Sequence, residues 1–255
     1  MTKNMNCVIA ENTNDIWGFF IMEGTEVCTE ERRRKTYLVI VYDVRSKYIF
    51  YIKYHYLISK HCRCSVLKQV LEEFGLPYYL VCEEKYRAGL EFLSHDYGIA
   101  FLTPEDLGVR EQNGWRRLIR YFQVMQNRIP PQNSIHKNIV IAGESRKKWN
   151  DYRLGREDFP RLAYKKQWAM QAFLDKNAYW HSFLVKTERL VSSHGIVTIL
   201  NQEYKVPDCY AGKRIIFRVD PQNPREIYIY DEERNWKLFV CPMLTEARNE
   251  KFQYA

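Results

Sequence analysis

Acidic residues that follow apolar segments are the positions with the clearest potential for chemistry. Glu83 and Glu84 follow the apolar run 79–82, and Glu23 follows the largely apolar run 16–22. Carboxylate oxygens at the ends of neighbouring strands are the ligands that Mg²⁺ prefers, so these positions suit a divalent metal site. Carboxylates also end strands simply because they are solvated there. We favour this second interpretation for Glu23 and Glu83.

His61, Cys62 and Cys64 form the one local cluster with the ligand chemistry of a zinc site. Such a site needs four ligands at workable spacing, and no second Cys or His pair follows downstream. The seven cysteines of the chain are odd in number and scattered, which is typical of a reducing compartment and not of a disulfide framework. We therefore expect free thiols at the start of a helix.

Composition and charge limit the classes of partner that the protein could have. A chain of 255 residues that is 46% hydrophobic can bury one large core or two modest ones. It carries 39 Lys plus Arg against 31 Asp plus Glu, and this net charge of +8 favours a polyanionic partner such as DNA. The sequence contains neither an apolar run of roughly 20 residues, as a membrane span requires, nor a signal-peptide pattern. We expect an intracellular, cytoplasmic protein without membrane association, nucleoid-associated if its host is bacterial.

The elements that must position these residues follow the order β-β-β-α-β-α-β. Aromatic and β-branched residues dominate the predicted strands, and helical spacing of apolar residues marks the predicted helices. A Gly75 and Pro77 pair ends the first helix. The predicted strands are 16–22, 36–44, 47–56, 78–82 and 98–102, and the predicted helices are 64–74 and 87–93.

A further helix is predicted at 114–129, where apolar residues recur at helical spacing. Four arginines lie largely off this apolar stripe, and Pro130 ends the helix. Such an arrangement suits either contact with nucleic acid or a core-packing helix with a solvated basic flank. The arginines are Arg116, Arg117, Arg120 and Arg128.

The spacing of apolar residues changes along the rest of the chain. The polar stretch 134–158 has no clear assignment, and 160–193 is predicted as helix because a proline stands near its first turn. Five short alternating segments then follow, which predicts a small closed β-barrel. The predicted organisation is a core domain at 1–158, a helical linker at 159–194 and a barrel at 195–255.

This order of elements resembles the RNase H-like catalytic domain of DDE transposases and retroviral-type integrases, followed by the C-terminal β-barrel of Mu-like transposases. The resemblance covers nearly the whole chain. It implies an α/β RNase H-like, integrase-type domain followed by a small all-β barrel. The segments that carry it are 34–54 with its Asp-Val-Arg-Ser link, 70–84, 120–130 and 199–231.

The family's chemistry implies three carboxylates that hold two divalent ions for phosphoryl transfer. Carried over by position, they correspond to Glu23, Glu83 and Ile119, and an isoleucine cannot bind metal. Glu111 is a conceivable substitute, but it lies eight residues upstream, near the start of the helix. The resemblance therefore implies that no catalytic set is intact, that no cofactor is bound, and that Mg²⁺ is needed only if the protein is active after all.

We expect a transposase-derived, non-catalytic protein that binds DNA or assembles with a transposition complex. Its partners would be DNA, an active transposase or a transposition ATPase, and further copies of itself. Because the core domain would begin the chain, end recognition by a preceding helix-turn-helix module is not expected. Two alternatives stay open, namely an active metal-dependent strand transferase with an atypical carboxylate set and a protein-interaction module without DNA binding. Besides the four arginines, the expected DNA contacts are Arg146, Lys147, Lys148, Lys165, Lys166, Lys213, Arg214 and Arg218.

Overall fold

The computed structural model divides the chain into two compact units, Met1–Lys176 and Asn177–Ala255. It describes residues 7–28, 32–151, 159–167, 183–220, 223–229 and 239–242. Within these residues, no helix is both long and apolar enough to cross a membrane.

The first unit is built on a five-stranded sheet. Its strands are β1 (Ile16–Glu23), β4 (Tyr37–Asp43), β5 (Ile49–His55), β6 (Tyr79–Val81) and β7 (Ala100–Leu102), and a small hairpin joins β2 (Val27–Cys28) to β3 (Arg33–Arg34). The order in the sheet is β5-β4-β1-β6-β7. Antiparallel pairs join β1, β4 and β5, whereas β6 and β7 are parallel to β1 and to each other. This is the RNase H-like topology, as predicted.

Among its described residues, the first unit has five α-helices beside this sheet. They are α1 (Lys60–Phe74), α2 (Phe92–Tyr97), α3 (Val109–Asn127), α4 (Ile135–Asn150) and α5 (Pro160–Gln167). Local signals set their ends: the Ser59 hydroxyl accepts a hydrogen bond from the Cys62 backbone at 3.1 Å, and Gly75 ends α1 with a φ of 88°. The helix predicted at 87–93 is instead a 3₁₀ turn at Glu84–Tyr86 followed by α2. The unassigned stretch after residue 134 contains α4.

Helix α3 packs on the sheet over Gly18 of β1. A Cβ atom at Gly18 would overlap the ring of Tyr42 and would lie 2.9 Å from Cζ3 of Trp115. Trp115 also meets the ring of Phe20, with 5.5 Å between centroids at 78°. The absence of a side chain at Gly18 thus allows two large rings to approach the central strand and seats α3 there.

Asp43 anchors the link between β4 and β5. One of its oxygens accepts a hydrogen bond from the backbone of Asn14 at 2.7 Å, and the other accepts from the backbone and the hydroxyl of Ser46 at 2.6 and 2.5 Å. Its side chain is fully buried. Burial raises the pKa of Asp43 to about 6, against the lowering effect of these hydrogen bonds.

Helix α5 packs against other residues of the first unit, although the sequence analysis predicted it as part of a linker. The hydroxyl of Tyr164 lies 3.0 Å from Nδ2 of Asn14, and its ring stacks on Tyr48 with 5.0 Å between centroids. A part of the predicted helical linker, Val185–Leu190, is strand β8 instead. It pairs antiparallel with a later strand of the second unit, and this tertiary pairing outweighs the local preference of its Lys, Glu and Leu residues for helix.

The described part of the second unit contains two antiparallel sheets. Its other strands are β9 (Ile196–Ile199), β10 (Gln202–Lys205), β11 (Arg214–Asp220), β12 (Asn223–Ile229) and β13 (Phe239–Pro242). Strands β11, β12 and β13 join β8 in a sheet of order β13-β12-β11-β8, and β9 pairs with β10. The all-β second unit is as predicted, and no closed barrel is detected among the described residues, where the two sheets share one apolar core. Leu200 and Asn201, at φ of 52° and 62°, make a tight turn that pairs β9 with β10.

The packing of α3 against β1 predicts that any side chain at residue 18 will clash with its neighbours. We expect Gly18→Ala to lower the free energy of unfolding by about 1–3 kcal/mol, because the added methyl overlaps the Tyr42 ring in a packed core. Gly143→Ala on α4 is the matched control: a Cβ there meets nothing within 4 Å, so the change should stabilise by about 0.5–1 kcal/mol. Urea unfolding of the two variants measures both changes in the free energy of unfolding. Equal stability of Gly18→Ala and wild type would contradict the packing.

The buried Asp43 predicts a pH dependence. Its folded pKa of about 6 lies above an unfolded value of about 3.9, so the folded state holds the proton more tightly. The stabilisation that follows is complete below pH 4 and is lost as the pH rises through 6. We expect the stability difference between wild type and Asp43→Asn to shrink by up to about 3 kcal/mol from pH 4 to pH 7, measured by urea unfolding. Parallel curves for the two proteins would show that Asp43 does not titrate in this range.

Candidate nucleic-acid interface

A pocket of about 320 Å³ lies where β1 and β6 end. The parallel register pairs Gly18 with Val81, so two residues further along Phe20 of β1 comes beside Glu83. We call this the strand-end pocket. It is lined by Phe20, Glu83, Pro104, Glu105, Gln112, Trp115, Arg116 and Ile119.

The floor of the strand-end pocket is aromatic. Phe20 and Trp115 are 7% and 6% exposed, and their rings contact each other edge to face. Ile119, one helical turn beyond Trp115, is half-buried against the same core. A carboxylate in place of Phe20 would lie against the ring of Trp115, and burial of a charge against an apolar surface is costly. The wall beside Glu83 therefore does not suit a hydrated or metal-bound oxygen.

Glu83 lies at the rim of this pocket. Its carboxylate lies 2.6 Å from the Lys85 ammonium, and the two side chains are 38% and 63% exposed. The hydrogen bond to Glu83 raises the pKa of Lys85. Exposed pairs of this kind contribute about 0–1 kcal/mol, so Glu83 has the features of a solvated strand-end carboxylate.

Glu23 lies in a different cleft. It is three residues beyond Phe20, about 10 Å along the strand, and its closest cation is Lys35 at 3.9 Å. Both of these side chains are exposed. The structure thus places Glu83 and Ile119 at one pocket with Phe20 and does not bring Glu23 to them. The resemblance placed Glu23, the acidic residue at the end of β1, at the position of the first catalytic carboxylate. The register between β1 and β6 instead places Phe20 beside Glu83.

Glu111 occupies the third position of α3 and is 3% exposed. A Cβ atom at Gly108, which caps the helix, would lie 2.7 Å from its Oε2, so the carboxylate is folded back over the helix start. Negative charge is favourable there because of the helix dipole. Glu111 is not part of the strand-end pocket lining. Across the described ranges, no group of three or more His, Cys, Asp or Glu side chains could hold a metal ion.

The cluster of cysteines at the start of α1 has the features of ordinary thiols. Cys62 is half-buried and Cys64 buried, and both are free. Burial raises the pKa of Cys62 to about 11 and also raises that of Cys64. Thiols with a raised pKa are poor nucleophiles and poor metal ligands at neutral pH.

The four arginines predicted to contact DNA are exposed, as a phosphate contact requires: Arg116, Arg117 and Arg120 lie on α3, and Arg128 directly follows it. Arg116 and Arg120 share a face of the helix with Gln112, Gln123 and Asn127, because these positions recur at spacings of three and four. We call this the outer face of α3. Arg117 and Arg128 lie further around the helix.

The remaining basic residues of the first unit divide by their contacts. Lys147 and Lys148 are exposed in the last turn of α4, and Lys165 is exposed on α5. Arg146 donates a hydrogen bond from Nη1 to the carbonyl of Phe50 at 2.8 Å, which fastens α4 to β5. Lys166 belongs to α5, but its side chain lies outside the described residues.

Two basic residues of the second unit are exposed at the start of β11. They are Lys213, just before the strand, and Arg214, its first residue. Arg218 on the same strand is only 8% exposed. Its guanidinium is therefore part of the unit's interior and is a poor candidate for contact with phosphate.

A second cleft, of about 470 Å³, was not anticipated from the sequence. It is formed by the end of β1 and the last turns of α3, where three amide side chains follow at spacings of three and four. That spacing is the one sequence signal that could have indicated it. We call it the amide cleft, and it is lined by Met22, Glu23, Gly24, Thr25, Gln123, Gln126 and Asn127.

Two polar atoms in or beside the amide cleft are buried without a partner. Nε2 of Gln126 and, in the adjoining layer, Oδ1 of Asn138 have no hydrogen-bond partner among the described residues. Asn138 adjoins the cleft because its Nδ2 donates to the carbonyl of Thr25 at 3.3 Å. An unpaired buried polar group costs about 1–3 kcal/mol, so this region is built less for stability than the apolar core around it.

Comparisons with known proteins bear on both units. Residues 174–242 match the family model of the Mu transposase C-terminal domain. No curated protein sequence matches the chain.

Solved structures similar to the chain include three viral integrases. The HTLV-2 integrase catalytic core domain in complex with magnesium is 13% identical over 60% of this chain and 97% of its own, with a TM-score of 0.39. A simian T-cell lymphotropic virus intasome in complex with the PP2A regulatory subunit B56 gamma is 10% identical over 93% of this chain and 79% of its own, with a TM-score of 0.47. The BIV integrase catalytic core is 12% identical over 60% and 95%, with a TM-score of 0.43.

The family match and the topology agree in their order along the chain. The RNase H-like sheet order occupies the first unit, and the family match covers most of the described second unit. Residues 174–242 are thus similar to the Mu transposase C-terminal domain, and they follow a unit with the RNase H-like sheet order.

Proposed function

We propose that this protein binds DNA as a non-catalytic, transposase-derived subunit of a transposition complex. The observation that carries the proposal is the strand-end pocket, where the Phe20 and Trp115 rings occupy the place beside Glu83. Exposed arginines on the same helix provide the contacts for a nucleic-acid backbone.

The residues of the strand-end pocket do not fit a two-metal centre. Such a centre needs several carboxylate oxygens that converge on ions about 4 Å apart, and Mg²⁺ tolerates little geometric error. Glu83 is paired with Lys85, while Phe20 and Ile119 present only carbon atoms. No step of phosphoryl transfer is therefore assigned to this chain.

The basic side chains of α3 suit the DNA backbone. A guanidinium binds phosphate oxygens with two parallel hydrogen bonds, and each contact releases a counterion from the DNA. Arg116, Arg117 and Arg120 are exposed within a little more than one helical turn. Binding of this kind follows the backbone and is largely indifferent to sequence.

A non-catalytic subunit needs partners that supply the chemistry. An active transposase, a transposition ATPase or further copies of this chain would fill that role in an intracellular complex on DNA. The second unit, with Lys213 and Arg214 exposed, would add a separate contact to DNA or to a partner. If the protein binds no DNA, the same fold would serve as a protein-interaction module.

Salt dependence tests the DNA contacts. We expect binding to a mixed-sequence duplex to weaken steeply with salt, and the triple variant Arg116→Ala, Arg117→Ala, Arg120→Ala to flatten the slope by up to about three phosphate contacts. The matched control removes the same charge elsewhere, at the exposed Lys35, Lys53 and Lys85. Fluorescence anisotropy across a salt series measures both. No binding by wild type at low salt, or equal effects of the two triple variants, would contradict the proposal.

Substitution of Ile119 tests whether the site is dismantled. We expect Ile119→Glu to lower the free energy of unfolding by about 1–3 kcal/mol, since a charge is placed against the Trp115 core. Ile119→Gln is the neutral control of the same shape. Thermal unfolding with and without Mn²⁺ should show no metal rescue of either variant. Rescue of the glutamate variant alone would mean that a metal site persists and would favour an active strand transferase.

A further inference from the structure

We infer that the amide cleft binds an unpaired nucleobase that carries an exocyclic amino group, adenine or cytosine. This inference rests on the proposed DNA binding, because it names what one part of the bound nucleic acid would present to the protein. The cleft is separate from the strand-end pocket and shares none of its lining residues.

The chemistry of the lining selects the class of ligand. Three carboxamides supply donors and acceptors, and Glu23 is the one charged side chain among the lining residues. A negative charge disfavours phosphate, and a single carboxylate is a poor site for a cation that needs several oxygens. A neutral, planar group with both donors and acceptors fits best. Gln and Asn pair with adenine in this way, and Glu accepts a hydrogen bond from an exocyclic amino group.

A buried hydrogen-bond donor without a partner favours binding of a ligand that carries an acceptor. Gln126 is 8% exposed and lines the cleft, yet its Nε2 has no partner among the described residues. A ring nitrogen or carbonyl oxygen of a base would satisfy this donor. Gln123 and Asn127, both exposed on the neighbouring turns, would bind the remaining edge of the base.

The position of the cleft suits a nucleic-acid strand that follows α3. The outer face of α3 runs from Gln112 to Asn127, about 22 Å at 1.5 Å per residue. Arg116 and Arg120 lie on this face, about two turns and one turn before Gln123, respectively. A strand whose phosphates contact these arginines would bring its next base to the amide cleft. A cleft of about 470 Å³ has room for a base that has left the stack.

The test compares a fully paired duplex with the same duplex carrying one bulged nucleotide. Wild type should bind the duplex with a bulged dA at least about tenfold more tightly than the paired duplex, and a bulged dT should give a smaller gain. Gln126→Met should abolish the preference and leave the affinity for paired duplex unchanged. Gln69→Met, at an exposed position of α1, is the matched control and should retain the preference.

Thermal unfolding shows whether a variant loses the preference because it no longer binds the base or because it is less stable. Gln126→Met replaces a buried donor without a partner by an apolar side chain of similar size, so its melting temperature should equal or exceed that of wild type. The exposed pair Gln123→Ala, Asn127→Ala should also lose the preference without loss of stability, and it keeps the test informative if Gln126→Met does not fold.

The outcomes distinguish this inference from the function on which it rests. Binding of paired duplex without any preference for the bulge would overturn the base site and leave the DNA proposal standing. If neither DNA binds, the cleft is tested alone by nuclear magnetic resonance with adenosine and with N-acetylglutamine amide. Shifts of the Gln and Asn side-chain amides by adenosine uphold the base site. Shifts by the peptide analogue only, or by neither, overturn it.

Discussion

The close approach of Trp115 to the central strand at Gly18 is the contact on which the first unit depends. The glycine leaves room for the indole and for Tyr42, so α3 lies directly over β1 and follows it toward its carboxyl end. The side chains that α3 presents beyond Trp115 then determine what lies on either side of that strand. The strand-end pocket and the amide cleft are both formed between β1 and α3.

The same contact determines which side chains lie beside Glu83. The ring of Phe20 extends the packing of Trp115 into the position beside Glu83, and Ile119 continues the apolar surface. Packing that stabilises a domain and an arrangement of hydrated carboxylates compete for the same space at a strand end. Here the packing occupies it. The function of this chain must therefore be argued from its surfaces and not from its fold.

Two buried polar regions stand out against this apolar background, and they differ in kind. Asp43 is fully buried, but three donors of the Asn14 and Ser46 region satisfy it and hold the link between β4 and β5. The amide cleft contains buried polar atoms that the described residues do not satisfy. A satisfied buried network specifies structure, whereas unsatisfied groups next to a cleft indicate a surface that is completed by a partner.

The sequence by itself determined the strands of the first unit, α1, α3 and the basic character of the surface, because these depend on local periodicity and on charge. It also predicted the RNase H-like sheet of the first unit through the order of those elements. The tertiary structure decided which β1 residue lies beside Glu83, since that depends on the register between β1 and β6 and not on the spacing of acidic residues. It also decided that 185–190 is a strand and that the described strands of the second unit form two sheets, because strand pairing joins residues distant in the chain and its free energy outweighs local helix preference.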